Sequence, residues 1–181
     1  MVEPKLENVI YSIWMIPEDS FRSFASKIIV ELSQKYKLTP FKPHITLIGV
    51  KPCENIKEKF KKLVEFIEAP LKFTLGEVGY DKPPWMALYV RVIPSASFLK
   101  LRRKAENLFK VSRKWEPHLS FLYAEENQIP ILERRRLAKE IEEELKDKIN
   151  SEFCIERIEL WKTWKEVSRW KLVRSSRIEF L

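Results

Sequence analysis

Glycine is nearly missing from the 181-residue chain: Gly49, Gly76 and Gly79 are all there is. A Walker loop or a Gly-x-Gly-x-x-Gly turn needs several glycines to bring backbone N–H groups against phosphate, so both are excluded. Any phosphate bound here must be held by side chains. Cysteine is equally sparse. Cys53 and Cys154 stand far apart, with no Cys-x-x-Cys pair. That argues against a disulfide framework or a zinc ribbon and reads as two reduced thiols in a cytosolic chain. No apolar run approaches the roughly 20 residues of a membrane helix. Met1-Val2-Glu3-Pro4-Lys5 lacks the charged-then-apolar order of a secretory signal. The expectation is a cytoplasmic chain without a membrane segment, complete as given.

What is present fits a globular domain: 45% hydrophobic and 33% charged residues. The length suits one domain over 1–181 with a real core. Lys plus Arg is 34 against 26 Asp plus Glu, a net charge of +8. A basic excess favours anionic partners such as nucleotides or RNA. A Lys/Glu-rich surface of thermophile type, with no partner implied, accounts for it as well.

Hydrophobic periodicity divides the chain into strands and helices. Val9–Pro17 is an apolar, β-branched run, read as a buried strand that Pro17 ends. Ser20 can cap a helix to about Tyr36, with Phe21, Ala25, Ile28, Ile29 and Leu32 on one face. Phe41–Val50 reads as a strand. Asn55 opens an amphipathic helix carrying Phe60, Leu63, Val64 and Ile67. Leu71–Tyr80 and Met86–Ile93 form a strand pair around the turn Asp81-Lys82-Pro83-Pro84. Ser95 to Lys110 reads as helix and His118–Ala124 as strand. Pro130 starts a charged helix to Ile149, and two strands follow near Phe153–Thr163 and Trp170–Phe180.

A weak internal repeat crosses this pattern. Lys42-Pro43-His44-Ile45-Thr46-Leu47-Ile48 aligns with Glu116-Pro117-His118-Leu119-Ser120-Phe121-Leu122, an offset of 118 − 44 = 74. A strand and then a helix precede each copy. Two such units suggest two lobes related by a pseudo-twofold, with a groove between the equivalent strands. The only two histidines of the chain both stand in the pattern Pro-His-apolar-Ser/Thr. With 11 Pro and 17 Ser plus Thr in 181 residues, two chance matches have a probability of about (0.06 × 0.09)², near 3 × 10⁻⁵.

Strand side chains alternate faces at about 3.3 Å per residue. His44 and Thr46 therefore share a face, with Ile45 and Leu47 pointing into the core. His118 and Ser120 share a face likewise, opposite Leu119 and Phe121. Each lobe presents one imidazole and one hydroxyl. Phosphodiester hydrolysis needs a base for water, an acid for the leaving oxygen, and donors for the non-bridging oxygens. Imidazoles with an ordinary pKa near 6.5 supply the first two, and the hydroxyls supply the third. A cyclic phosphate fits best, because ring strain makes a metal unnecessary. Zinc wants three or four ligands, and no Asp, Glu or Cys sits at a suitable offset beside both motifs. Nothing resembles the nucleophile elbow of a Ser/His/Asp triad.

These paired stretches resemble the His-x-Thr/Ser motifs of the two-histidine (2H) phosphoesterase superfamily. Pro117 to Glu125 (PHLSFLYAE), with Tyr11-Ser12-Ile13-Trp14-Met15-Ile16-Pro17, Leu160-Trp161-Lys162-Thr163 and Trp170-Lys171-Leu172-Val173, is similar to its cyclic phosphodiesterases. The resemblance spans the whole chain. It implies a bilobal, duplicated α+β fold, with two antiparallel sheets flanking a central cleft and helices outside. It implies metal-independent, cofactor-free hydrolysis of nucleoside 2',3'-cyclic phosphate or ADP-ribose 1'',2''-cyclic phosphate, usually to the 2'-monoester, by a monomer. His44 and His118 would be the acid and the base. Thr46 and Ser120 would bind the phosphate, Tyr123 would contact it, and Trp14 would line the nucleobase side. Strict alternation puts Tyr123 on the wrong face unless the strand ends or bulges near Leu122. Paired cysteines of the plant members have no counterpart here, so no oxidation-gated loop is implied.

Two rival readings stay open. The same fold could act on cyclic-phosphate-ended RNA, or on 2'–5' linkages as an RNA ligase-like enzyme. It could also be a non-catalytic RNA-binding module, although intact His and hydroxyl residues argue against decay. Trp161-Lys162-Thr163-Trp164-Lys165 and Trp170-Lys171 read either as a single-strand RNA platform or as a hairpin packed by Trp and solvated by Lys. Lys82-Pro83-Pro84-Trp85 is a proline turn or a mobile loop over the groove. Arg134-Arg135-Arg136 reads as the solvated face of a helix, or as part of an RNA track.

Overall fold

The computed structural model describes residues 9–112 and 116–179. The N-terminal pentapeptide and the expected strand end at Phe180 lie outside the described residues. The elements are β1 (Ile10–Pro17), α1 (Asp19–Tyr36), β2 (Ile45–Val50), α2 (Ile56–Glu65), β3 (Lys72–Gly79), β4 (Leu88–Pro94), α3 (Ala96–Phe109), β5 (His118–Leu122), α4 (Ile131–Leu145), β6 (Glu152–Thr163) and β7 (Lys171–Arg177). A 3-10 turn, Val167–Arg169, precedes β7.

The helix faces follow the periodicity. Phe21, Ala25, Ile28, Ile29 and Leu32 of α1 are buried, as are Leu137, Ile141 and Leu145 of α4. Boundaries shift where local chemistry differs from the expectation. Helix α1 starts at Asp19, and Ser20 lies inside it; Glu18, with no side-chain cap bond, holds the N-cap position. Ser95 does cap α3, accepting from the Phe98 N–H. Strand β2 begins at Ile45 rather than Phe41, because Pro43 cannot donate to a ladder. Arg134 departs furthest from its expectation. It is 1% exposed, donates to the Tyr80 carbonyl at 2.6 Å and pairs with Glu126, whereas Arg135 and Arg136 are solvated. The guanidinium clamps the end of β3 onto α4.

The expected pair of sheets is joined into one. Its strand order is β1-β2-β5-β4-β3-β6-β7, and β1 also pairs with β6. Six strands thus close into a ring, and every pairing is antiparallel. β6 makes the closure possible by its length. Its first residues pair with β3, its later ones with β7 on the same edge, and β1 runs along the other edge.

The repeat is longer than the sequence alone reveals. β1-α1-β2-α2-β3 and β4-α3-β5-α4-β6 are two copies of one β-α-β-α-β order. The last strand of each copy pairs with the first strand of the other, β3 with β4 and β6 with β1. The helices cross over as well, α1 packing on β5 and α3 on β2. One core results. Ile45, Leu47, Leu119 and Phe121 are fully buried in it, as the alternation requires.

Among the described residues no helix is long and apolar enough to cross a membrane. Cys53 is exposed and Cys154 partly exposed, and both are free thiols.

Gly79 has a steric role. It lies opposite Tyr89 in the β3–β4 ladder, and a Cβ there would overlap the Tyr89 ring. Tyr89 is 0% exposed and has nowhere to go. Gly79→Ala should therefore cost about 1–3 kcal/mol of stability, measured by urea denaturation. Tyr89→Leu should recover part of that loss in the double variant. Strictly additive effects would contradict the steric account.

Candidate active site

The two Pro-His motifs meet where β2 and β5 touch. A single register pair, Ile45 with Leu119, joins these strands. In an antiparallel ladder that register sets His44 across from Ser120 and Thr46 across from His118. All four side chains take the face opposite to Ile45 and Leu119. His44 and Ser120 are buried, at 6% and 3% exposure. Thr46 and His118 are half-buried.

Both imidazoles are oriented by the same device. His44 Nδ1 lies 2.7 Å from the Lys42 carbonyl oxygen, and His118 Nδ1 lies 2.9 Å from that of Glu116. A carbonyl only accepts, so each Nδ1 carries the proton and each Nε2 keeps a lone pair. The intervening Pro43 and Pro117 explain the spacing. Proline restricts the residue before it to an extended conformation, which aims that carbonyl at the ring two residues on.

An aromatic residue backs each imidazole from the equivalent strand. Trp14 lies opposite Thr46 in the β1–β2 register and stacks on His44, centroids 3.7 Å apart at 12°. Tyr89 lies opposite Ser120 in the β4–β5 register and meets His118 edge-on at 5.6 Å. Trp14 is itself fixed, by Nε1 donating to Ser12 Oγ at 2.7 Å and by stacking on Trp161 at 4.5 Å. At 2% exposure Trp14 has little ring surface to offer a ligand. Trp85, 43% exposed, and Trp170, 5.3 Å from Trp14, are the more open aromatic groups.

Tyr123 does reach the groove, because β5 stops at Leu122. Its hydroxyl lies 3.4 Å from His44 Nε2, and its ring stacks on Phe41 at 4.0 Å. Burial raises its pKa, partly offset by Ser120, so the hydroxyl keeps its proton and acts as the donor. Ser120 Oγ donates to the Trp85 carbonyl at 2.8 Å. The Lys82–Trp85 loop thus lies against the second motif, anchored further by the Ala124 N–H on the Pro84 carbonyl at 3.2 Å.

Burial sets the electrostatics. It drives the His44 pKa down from 6.5 to about 3, against the pull of its Lys42 carbonyl bond, with the charges of His118 and Lys42 adding to the fall. His118 is lowered too, chiefly by burial; its Glu116 bond opposes this and the Lys82 charge adds to it. Both rings are neutral at pH 7, and a charge on His118 would oppose protonation of His44. Among the described residues no three His, Cys, Asp or Glu side chains converge.

The structure brings His44, His118, Thr46, Ser120, Tyr123 and Trp14 together. Sequence reading missed Tyr89, Phe41 and Lys42 as neighbours of the site. Tyr89 was within reach of the repeat: its offset from Trp14 is 89 − 14 = 75, beside 74 for the histidines.

The family model of the 2'-5' RNA ligase superfamily matches residues 17–166. The chain belongs to that superfamily, the two-histidine phosphoesterases. A comparison with curated protein sequences finds no match. Among solved structures, E. coli LigT complexed with 3'-AMP is similar at TM-score 0.55 and 13% identity, covering 94% of this chain and 97% of that one. LigT complexed with phosphate gives TM-score 0.53 at 13% identity, with 94% and 96% covered. A phosphoesterase gives 0.54 at 12%, with 94% and 98% covered. These likenesses establish a shared α+β fold.

A buried neutral imidazole makes stability depend on pH with a definite sign. Between pH 6.5 and 4.5 the unfolded chain protonates His44, but the folded chain, with its pKa near 3, does not. Acidification therefore favours unfolding. The loss attributable to this group is about 2–3 kcal/mol at pH 4.5. His44→Gln should remove that part of the slope in urea titrations at the two pH values. Equal slopes would show that the ring is not held neutral.

Proposed function

We propose that the chain is a metal-independent cyclic phosphodiesterase that opens nucleoside 2',3'-cyclic phosphates or ADP-ribose 1'',2''-cyclic phosphate. The observation that carries this reading is the matched pair of imidazoles. Each is held by a carbonyl at Nδ1, each keeps a lone pair at Nε2, which on His44 faces the Tyr123 hydroxyl, and each stands across from a hydroxyl of the other motif.

The cyclic phosphate anion sits between the rings. Thr46 and Ser120 donate to its non-bridging oxygens, Ser120 by turning its O–H away from the Trp85 carbonyl. His118, the more exposed imidazole, takes a proton from water. The water oxygen attacks phosphorus in line, and the bond from phosphorus to the leaving oxygen breaks. His44 gives that oxygen its proton. Without the anion the His44 pKa is depressed; the anion raises it, so that the ring takes up the proton that it then gives to the leaving oxygen. Tyr123 supports His44 and reaches the phosphate. The open rings of Trp85 and Trp170 supply the base side.

A second reading, action on cyclic-phosphate-ended RNA, draws on the bases of the β6–β7 hairpin, Lys162, Lys165, Arg169 and Lys171, although Lys165 pairs with Glu125 and Arg169 with Glu166. Trp164 argues against a stacking platform there, since Lys162 and Arg169 already lie over its ring at 5.2 and 5.1 Å.

His44→Ala and His118→Ala should each lower turnover of a 2',3'-cyclic nucleotide by roughly 10²–10⁴-fold, with EDTA without effect. Loss of activity in EDTA and its return with zinc would overturn the mechanism. Binding of a cyclic-ended RNA without product would favour a non-catalytic module. An oligonucleotide turned over faster than the mononucleotide, with a steep salt dependence of its own, would select the RNA reading.

The pH profiles test the proton assignment. An anion beside an imidazolium favours the charged form and raises its pKa. The bell for kcat should therefore lie at higher pH than the bell for kcat/KM, which reports the free enzyme. Coincident bells would mean that substrate does not load the proton.

A further inference from the structure

Behind His44 lies a carboxylate that the proposed chemistry does not use. Glu159, on β6, is 1% exposed. Its Oε1 accepts from Lys42 Nζ at 2.6 Å and from Ser175 Oγ at 3.1 Å, with Arg157 Nε at 3.8 Å. Its Oε2 accepts from Trp161 Nε1 at 2.8 Å.

Two of these partners lead to the same imidazole. Lys42 supplies the carbonyl that receives the His44 Nδ1 proton. Trp161 stacks on Trp14, which stacks on His44. The carboxylate therefore ties together the bond that sets the rotation of the ring and the stack that sets its plane. The second half is built differently: Glu116, the counterpart of Lys42, pairs with Arg91 at 3.6 Å and Lys82 at 3.9 Å among exposed side chains. There β3 places Gly79, not a carboxylate, opposite Tyr89, and the Tyr89 hydroxyl donates to Asp81 at 3.0 Å.

We infer that Glu159 is a positioning residue for His44, holding Lys42 and Trp161 so that Nε2 faces the groove. The inference rests on the reading of this groove as a catalytic site. It assigns the two imidazoles different support: His44 is braced through a buried carboxylate, whereas the charged groups around His118, Glu116 with Lys82 and Arg91, are exposed. A displacement of about 1 Å at a reacting group is enough to cost roughly 10²-fold in rate.

The test combines kinetics with NMR of the histidine rings in the full chain. Glu159→Ala should lower kcat on a nucleoside 2',3'-cyclic phosphate about 10- to 100-fold, with KM within about threefold of the parent. The His44 Nδ1–H signal should broaden or vanish while that of His118 persists. Glu159→Gln keeps an acceptor for Trp161 but loses the charge facing Lys42, and should fall between. Lys42→Met attacks the ion pair from its half-exposed end and should reproduce the kcat loss. With Glu159→Gln it decides the matter if Glu159→Ala fails to fold. Wild-type kcat with an unchanged His44 signal, or a rise in KM alone, would overturn the inference. A parent chain with no turnover, whose His44 signal still depends on Glu159, would sink the catalytic reading and leave the positioning role standing.

Discussion

The pairing of Ile45 with Leu119 is the contact on which the rest depends. Both residues are fully buried, and they form the one register pair between β2 and β5. A strand has a period of two, so this pair sends its flanking side chains to the other face together. A slip of one residue would turn the imidazoles into the apolar core and the core residues toward the groove. The same register therefore secures the packing and the chemistry. The hydrophobic contact is strong and non-directional, while the register gives it direction.

Around that seam the protein repeats one local device, a proline that aims a carbonyl at the imidazole two residues on. It fixes the tautomer without any charged partner, unlike a His–carboxylate pair. The consequence is electrostatic. With no anion beside it, a buried ring loses its proton, and His44 shows the full effect. In the proposed reaction such a site gains its charge together with a negative ligand, and the net charge of +8 favours an anion at long range.

Much of this was legible in the residues. The core faces of α1 and α4, the β3–β4 pair and the sharing of faces by His44 with Thr46 and His118 with Ser120 all follow from periodicity. Tyr123 was legible only as a condition, that β5 must end near Leu122, and the strand does end there. What remained hidden depends on long-range contacts. Nothing within Arg134-Arg135-Arg136 marks the first as buried; the Tyr80 carbonyl, 54 positions away, and Glu126, eight positions before it, make a place for it. Glu159 sits in an apolar-alternating strand like any outward carboxylate, and only the fold brings Lys42, 117 positions away, onto it. The joining of the two sheets was equally hidden, because closure rests on which strands pair across the repeat.

That crosswise pairing has an implication for how such a molecule could arise. A lone β-α-β-α-β segment would own one imidazole and one hydroxyl, and its third strand would have no neighbour. Two identical copies trading that strand would close the ring and assemble a matched acid and base at their twofold axis. Fusion of the copies would then free each half to diverge, as in the difference between Glu159 opposite Trp14 and Gly79 opposite Tyr89.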